Sequence, residues 1–177
     1  MNTYWILHLT PMLLGLMTAA VIDFRSRRIP NWLNALIGIS GVFCAGMPGA
    51  PISLTYALAG ALVGFAIPFI LFALGALGGG DVKLLAGIGC WVGPVGVVKV
   101  FLAAAVVGLV IVLAQSIYQK RLTALFRNSA VLTMHMVHLD SVGMENLTAA
   151  GKASRSVERP LPYAVPVLIA TLILLMI

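Results

Sequence analysis

The chain has 177 residues, 61% of them hydrophobic and only 9% charged, with a mean hydropathy of +1.07. Ordinary soluble domains are about 45–50% apolar and about 25% charged, so a water-soluble fold of this length is excluded and lipid must be the solvent for most of the chain. The net charge of +6 does not point to nucleic acid: the basic residues stand between apolar runs, where Lys and Arg mark cytoplasmic loops and meet anionic headgroups.

A spanning helix needs about 20 apolar residues, with a usable range of about 17–25. Residues 4–22 meet this. The run ends in Thr18-Ala19-Ala20, like a cleavable signal peptide, but no Lys or Arg precedes Arg25. Signal peptides carry positive charge before the apolar run, so the first span is expected to be retained with its N-terminus outside. Residues 32–47 form a short second span, closed by the Pro- and Gly-rich turn Met47-Pro48-Gly49-Ala50-Pro51. A third span is expected over 53–77, with Pro68 tolerated because neighbouring helices can satisfy the freed backbone. Residues 82–95 are short for a fourth, and Gly93-Pro94-Val95-Gly96 breaks the run before a fifth at 97–118. A sixth is expected at 161–177.

Between the last two spans lies the long polar stretch 119–159. Leu122, Leu125, Phe126, Leu132, Met136 and Leu139 recur there at roughly helical spacing, which predicts a helix lying on the membrane surface. In this threading ten of the 11 basic residues fall on one side and only Lys99 on the other, so the positive-inside rule makes the charged side cytoplasmic. All five acidic residues share that side. The expected fold is therefore all-α: a polytopic membrane bundle of about six transmembrane helices, forming one domain over 1–177.

Ionisable groups at the edge of an apolar core are costly and invite a functional reading. Asp23 ends the first span in Val21-Ile22-Asp23-Phe24-Arg25, and Asp81 follows the third in Gly78-Gly79-Gly80-Asp81-Val82-Lys83. Both should lie near one membrane face. Two carboxylates converging in a poorly solvated site tend to share a proton, and such a pair can activate water to hydrolyse a peptide bond. Against this, an aspartate at a helix end can serve as an interfacial anchor or pair with Arg25 or Arg27. Two acids alone fit either account.

The neighbours add context. Gly78, Gly79 and Gly80 strip side chains from the approach to Asp81, so another backbone can come close. Pro30 suits the first turn of the second helix. Lys83 either balances the charge of the site or snorkels to the headgroups. His135 and His138 share one helix face, but only Asp140 stands near them, so no metal site is expected, and no cofactor either. Cys44 and Cys90 make no C-x-x-C pair and read as bland buried thiols.

Gly78-Gly79-Gly80-Asp81 with Lys83 resembles the G-x-G-D motif of type IV prepilin peptidases. Asp23 followed by Arg28-Ile29-Pro30-Asn31 resembles that family's other aspartate block, and Pro162-Tyr163-Ala164-Val165-Pro166 is similar to a segment of its small Flp/Tad-pilus branch. The resemblance implies a membrane aspartyl endopeptidase of the bacterial inner membrane. Such an enzyme removes the leader of a prepilin or pseudopilin precursor at the cytoplasmic face, with Asp23 and Asp81 as the catalytic pair. Gly78, Gly80, Lys83, Pro30 and Asn31 would shape the site. Larger members carry an insert with paired C-x-x-C motifs and also N-methylate the product, so this chain is expected to cleave without methylating. Competing readings are a small proton-coupled transporter, which predicts an acid nearer the bilayer midplane, and a non-catalytic pilus or secretion assembly protein. A presenilin-like protease also uses G-x-G-D, but Ile22 stands where those proteins place Tyr, and no Pro-Ala-Leu occurs.

Overall fold

The structure, a computed structural model, describes residues 3–118 and 162–176. The expected surface helix over 119–159, with His135, His138 and Asp140, lies outside the described residues, as do the side chains of Tyr4 and Trp5. Five helices follow one another: α1 (Thr3–Ser26), α2 (Asn31–Ala45), α3 (Leu54–Ala73), α4 (Gly79–Tyr118) and α5 (Ala164–Met176). The described residues contain helices, turns and bends but no strand. By length and composition His8–Ser26, Leu54–Ala73 and Gly79–Gln115 could each cross a membrane, while Asn31–Ala45 and Ala164–Met176 are shorter apolar helices.

Sequence chemistry sets the helix boundaries. Arg27 adopts a left-handed φ of +53° at the end of α1, a cap position normally given to glycine, and its N–H still reaches the Asp23 carbonyl at 2.9 Å. Pro30 caps α2 from just outside the helix rather than within its first turn, and its carbonyl accepts from Leu33 and Asn34. Ser53 caps α3 by accepting from the Tyr56 N–H at 3.3 Å. Gly46 closes α2, and the turn leading to α3 passes through Gly49 at a φ of +79°.

α4 is not one rod. Gly93 has φ +73° and ψ −179°, outside helical space. A Cβ on Gly64 of α3 would lie 2.5 Å from the Leu85 carbonyl oxygen and 3.0 Å from Val97 Cγ2. On a straight helix those two residues would stand about 18 Å apart. The helix therefore folds back at Gly93, and its arms 79–92 and 94–118 both pack against α3. The break falls within the Gly93-Pro94-Val95-Gly96 run that separates the expected fourth and fifth spans.

The α3–α4 crossing is close because it is made of glycine. A Cβ on Gly60 would collide with the Gly89 carbonyl and with Gly93, and one on Gly89 would collide with the Gly60 carbonyl. Between lipid-solvated helices, close backbone approach through small residues replaces the hydrophobic drive available in water. The inner packing layer contains Met12 and Leu16 of α1, Ile37 of α2, Leu84, Leu85, Ile88 and Trp91 of α4, and Val167 of α5, all almost fully buried. The Trp91 indole N–H donates to the Ile37 carbonyl at 2.8 Å, fastening the first arm of α4 to α2. Outward lie Leu14, Phe24, Ile39, Phe43, Leu62, Ile70, Val106 and Val110, an apolar surface that fits lipid and not water.

The glycine crossing sets a prediction. Gly60→Ala must push α3 and α4 apart and should destabilise the protein by about 1–3 kcal/mol or more. Gly108→Ala meets only ordinary contacts, at 3.8 and 3.9 Å from Pro166. Thermal unfolding in detergent should therefore fall clearly for the first variant and stay near wild type for the second.

Candidate active site

Both aspartates stand at the same end of the bundle. Asp23 is in the last turn of α1, and Asp81 is the third residue of α4. The chain between them makes α2 and α3, which carry it away from this end and back. The Asp81 carboxyl is close enough to Asp23 to feel its charge.

Asp23 is only 6% exposed. Its Oδ2 accepts a buried hydrogen bond of 3.1 Å from the Ala164 N–H. Ala164 is the first residue of α5, so that amide is one of the four N–H groups a helix start leaves without an internal partner. The positive end of the α5 dipole and the carboxylate of α1 thus meet. Arg27, one turn on, also acts on the Asp23 charge. Tyr163, half-buried beside this junction, lies close enough to feel the charge of Asp81.

Asp81 is half-buried, and its local geometry explains part of the motif. Gly78 precedes α4 in the cap position, and its N–H donates to Asp81 Oδ2 at 3.2 Å. A third-position acid reaching back to the cap N–H is one half of a capping box. A Cβ on Gly78 would sit 2.9 Å from the same Oδ2. Gly78 therefore leaves room for the carboxylate. The expectation that all three glycines admit another backbone is corrected in part. A Cβ on Gly79 would come within 3.4 Å of the Phe72 ring, and one on Gly80 would make ordinary contact with Ile29 at 3.6 Å. Among the described residues the neighbours of this run are side chains, Asp81 at Gly78, Phe72 at Gly79 and Ile29 at Gly80, and not a backbone.

The remaining expected residues form a second group on α2 and α4. Lys83 Nζ donates to Asn31 Oδ1 at 2.9 Å, so two of them bind each other. Pro30 holds the start of α2 in place through its carbonyl. Asn34, which sequence reasoning passed over, ties this group to the motif: it is 4% exposed, and its Nδ2 donates to the Gly80 carbonyl at 3.1 Å. The signal was present, since an asparagine inside an apolar run needs a partner. The role of the Ala164 N–H carried no such signal, because a backbone amide is invisible in sequence. Cys44 is half-buried and Cys90 buried, both as free thiols. Among the described residues no three metal-ligating side chains come together.

Asp23→Ala leaves the Ala164 N–H buried without its acceptor, at a cost of about 1–3 kcal/mol. Asp23→Asn keeps an acceptor oxygen in place. Melting in detergent should rank wild type and Asp23→Asn together, with Asp23→Ala clearly below both.

Comparison with known proteins identifies the family. The model of the type IV leader peptidase family matches residues 11–113, a stretch that includes both aspartates. Over 113 residues the chain is 34% identical to a type 4 prepilin-like proteins leader peptide-processing enzyme of Escherichia coli, covering 60% of this chain and 42% of that protein. It is 34% identical over 112 residues to a prepilin leader peptidase/N-methyltransferase of Pectobacterium carotovorum, covering 55% and 37%. It is 38% identical over 82 residues to a preflagellin peptidase of Methanococcus maripaludis, covering 45% and 36%. The matched stretch thus spans about two fifths of each relative's length. No solved structure matches the chain. The family's model covers more than half of the sequence and takes in both aspartate blocks, and on that ground the chain belongs to the type IV leader peptidase family.

Proposed function

We propose that this protein is a membrane aspartyl endopeptidase that cleaves the leader from prepilin-like or preflagellin-like precursors, with Asp23 and Asp81 as its catalytic pair. One observation carries the reading: two aspartates distant in sequence approach within electrostatic reach at one end of an apolar bundle. Their positions in the last turn of α1 and the first turn of α4 suit chemistry at a membrane face. A proton relay through the bilayer would need a carboxylate deeper in a helix.

The division of labour follows from the hydrogen bonds. Like charges this close in a poorly solvated site resist ionising together, so the working state holds one proton between them. The ionised member takes a proton from water as it attacks the scissile carbonyl, and the protonated member hydrogen-bonds the carbonyl oxygen and later returns a proton to the leaving amine. The Ala164 N–H on Asp23 Oδ2 fixes one rim of the pair, and the Gly78 N–H on Asp81 Oδ2 fixes the other. Among the described residues no hydrogen bond reaches the second oxygen of either carboxyl, which leaves both for water or substrate. No cofactor enters this scheme. The excess of Lys and Arg on the same side as both aspartates supports a cytoplasmic active site in a bacterial inner membrane.

Asp23→Asn and Asp81→Asn should each abolish processing of a co-expressed prepilin while the protein still accumulates in the membrane. The double variant should be no worse than either single one, because residues acting as one unit fail together. Asp140→Asn, which changes an acid outside both motifs, should process normally. The wild-type rate should follow a bell in pH: both carboxyls are protonated on the acid side and both ionised on the alkaline side, and the two apparent pKa values belong to the pair. Processing at the wild-type rate by either single variant, at matched abundance, rules the aspartyl mechanism out.

Sidedness has its own test. In a Cys-free background, Met47→Cys in the α2–α3 turn should react with an impermeant thiol reagent in intact cells. Ala76→Cys in the α3–α4 turn should react only once the inner membrane is opened. The reverse pattern places the aspartates on the other side.

A further inference from the structure

Tyr163 stands directly before α5, in the position that caps the helix, and its carbonyl accepts from the Val167 N–H at 3.3 Å. Such positions favour Ser, Thr, Asp or Asn, whose short side chains accept from free N–H groups of the first turn. A tyrosine is unsuited to that task, and here the task is already done. The Ala164 N–H goes to Asp23 Oδ2, the Val165 N–H to the Pro162 carbonyl, and Pro166 has no N–H. Every N–H from Ala164 to Val167 is thus accounted for without the side chain of residue 163.

That side chain lies at the aspartate pair. Its backbone is one peptide from the amide that holds Asp23, while its phenol is close enough to Asp81 to feel that charge. One residue therefore reaches from one carboxyl to the other. The ring is half-buried and packs against the inner layer of the bundle. Burial first, and the Asp81 charge second, push the phenol up to about 12, so it keeps its proton at neutral pH and is a donor there. No hydrogen bond among the described residues reaches this O–H, and Asn34 Oδ1 is the single fully buried side-chain polar atom among them without a partner. The phenolic oxygen is therefore open to solvent. Packing alone would need only a phenylalanine, so the hydroxyl is left to explain.

We propose that Tyr163 is a third catalytic residue, whose O–H donates a hydrogen bond to the scissile carbonyl oxygen, beside the protonated carboxyl, as that oxygen gains charge. The assignment rests on the leader-peptidase reading. As the water oxygen bonds to the carbonyl carbon, the π pair moves onto the carbonyl oxygen. The phenol stabilises the charge there without giving up its proton. When the carbonyl reforms, the C–N bond breaks and the leaving amine takes its proton from the aspartate pair. The phenol ends as it began, so the step needs no further reactant. A donor fixed in advance costs no reorganisation as charge develops, and so acts on the rate more than on binding. Here the fixing is visible: the ring is packed, and the neighbouring amide is tied to Asp23.

The test uses the full-length protein in phosphatidylethanolamine–phosphatidylglycerol vesicles. Its substrate is a synthetic peptide with a basic leader ending in Gly, followed by an apolar helix of about 20 residues. Tyr163→Phe keeps the ring and removes only the O–H. It should lower kcat roughly a hundredfold and leave KM unchanged. Its melting temperature in detergent should match wild type, because the O–H holds no part of the fold. A second peptide carries a hydroxyethylene group in place of the scissile amide and cannot be cleaved. Tyr163→Phe should raise its inhibition constant roughly tenfold, since its hydroxyl sits where the charged oxygen forms. Tyr118→Phe, at a tyrosine 90% exposed, is the control and should change none of these values. Wild-type kcat in Tyr163→Phe overturns the assignment and keeps the peptidase. A raised KM at unchanged kcat makes Tyr163 a binding contact, and a lowered melting temperature makes it a packing one; either overturns the assignment too. No cleavage by the wild-type protein rejects the peptidase reading, and the assignment with it.

Discussion

The Ala164 N–H to Asp23 hydrogen bond joins the two ends of the described chain at the point where the chemistry is proposed. In lipid neither partner has an alternative. A helix start must find acceptors for its leading N–H groups, and a nearly buried carboxylate must find donors. One contact meets both needs and brings α5 against α1. Without it the last helix would have no polar reason to stop at that depth. With it, Tyr163 and the start of α5 become walls of the site rather than a trailing segment.

The second constraint is the glycine crossing of α3 with α4. Gly60, Gly64, Gly89 and Gly93 bring backbones together where any side chain would hold them apart. α2 and α3 carry the chain away from the end where α1 stops and back to it, so the first arm of α4 starts there. That return places Asp81 beside Asp23. The hinge lies about 18 Å along α4 from Asp81, while the crossing begins one turn from it at Leu85 and fixes where the first arm stands. The same first arm is held by Trp91 on one side and by the glycines on the other.

The polar end of the bundle also shows how a motif can serve structure and chemistry together. Asp81 caps the helix it belongs to, and Gly78 is small because that carboxylate occupies the space. Lys83 neutralises neither aspartate in this arrangement but holds Asn31, bracing α2 against α4. Asn34 does similar work one turn deeper, and its Oδ1 has no partner among the described residues.

Composition determined that the chain is lipid-solvated, and unbroken apolar runs of spanning-helix length determined that it is helical, since a barrel strand is about half as long and alternates apolar with polar residues. The order of the apolar runs, the break near Gly93 and the two aspartates at span ends were equally legible, since hydropathy and glycine punctuate a chain locally. What the tertiary structure decided is non-local. It decided that Asp23 and Asp81 approach one another, that Asp23 is held by a backbone amide from the last helix, and that Lys83 serves Asn31. It also decided that the glycines of α3 and α4 face each other. Those facts depend on which helix faces packed together, and in a chain apolar on nearly every face no periodicity announces the choice.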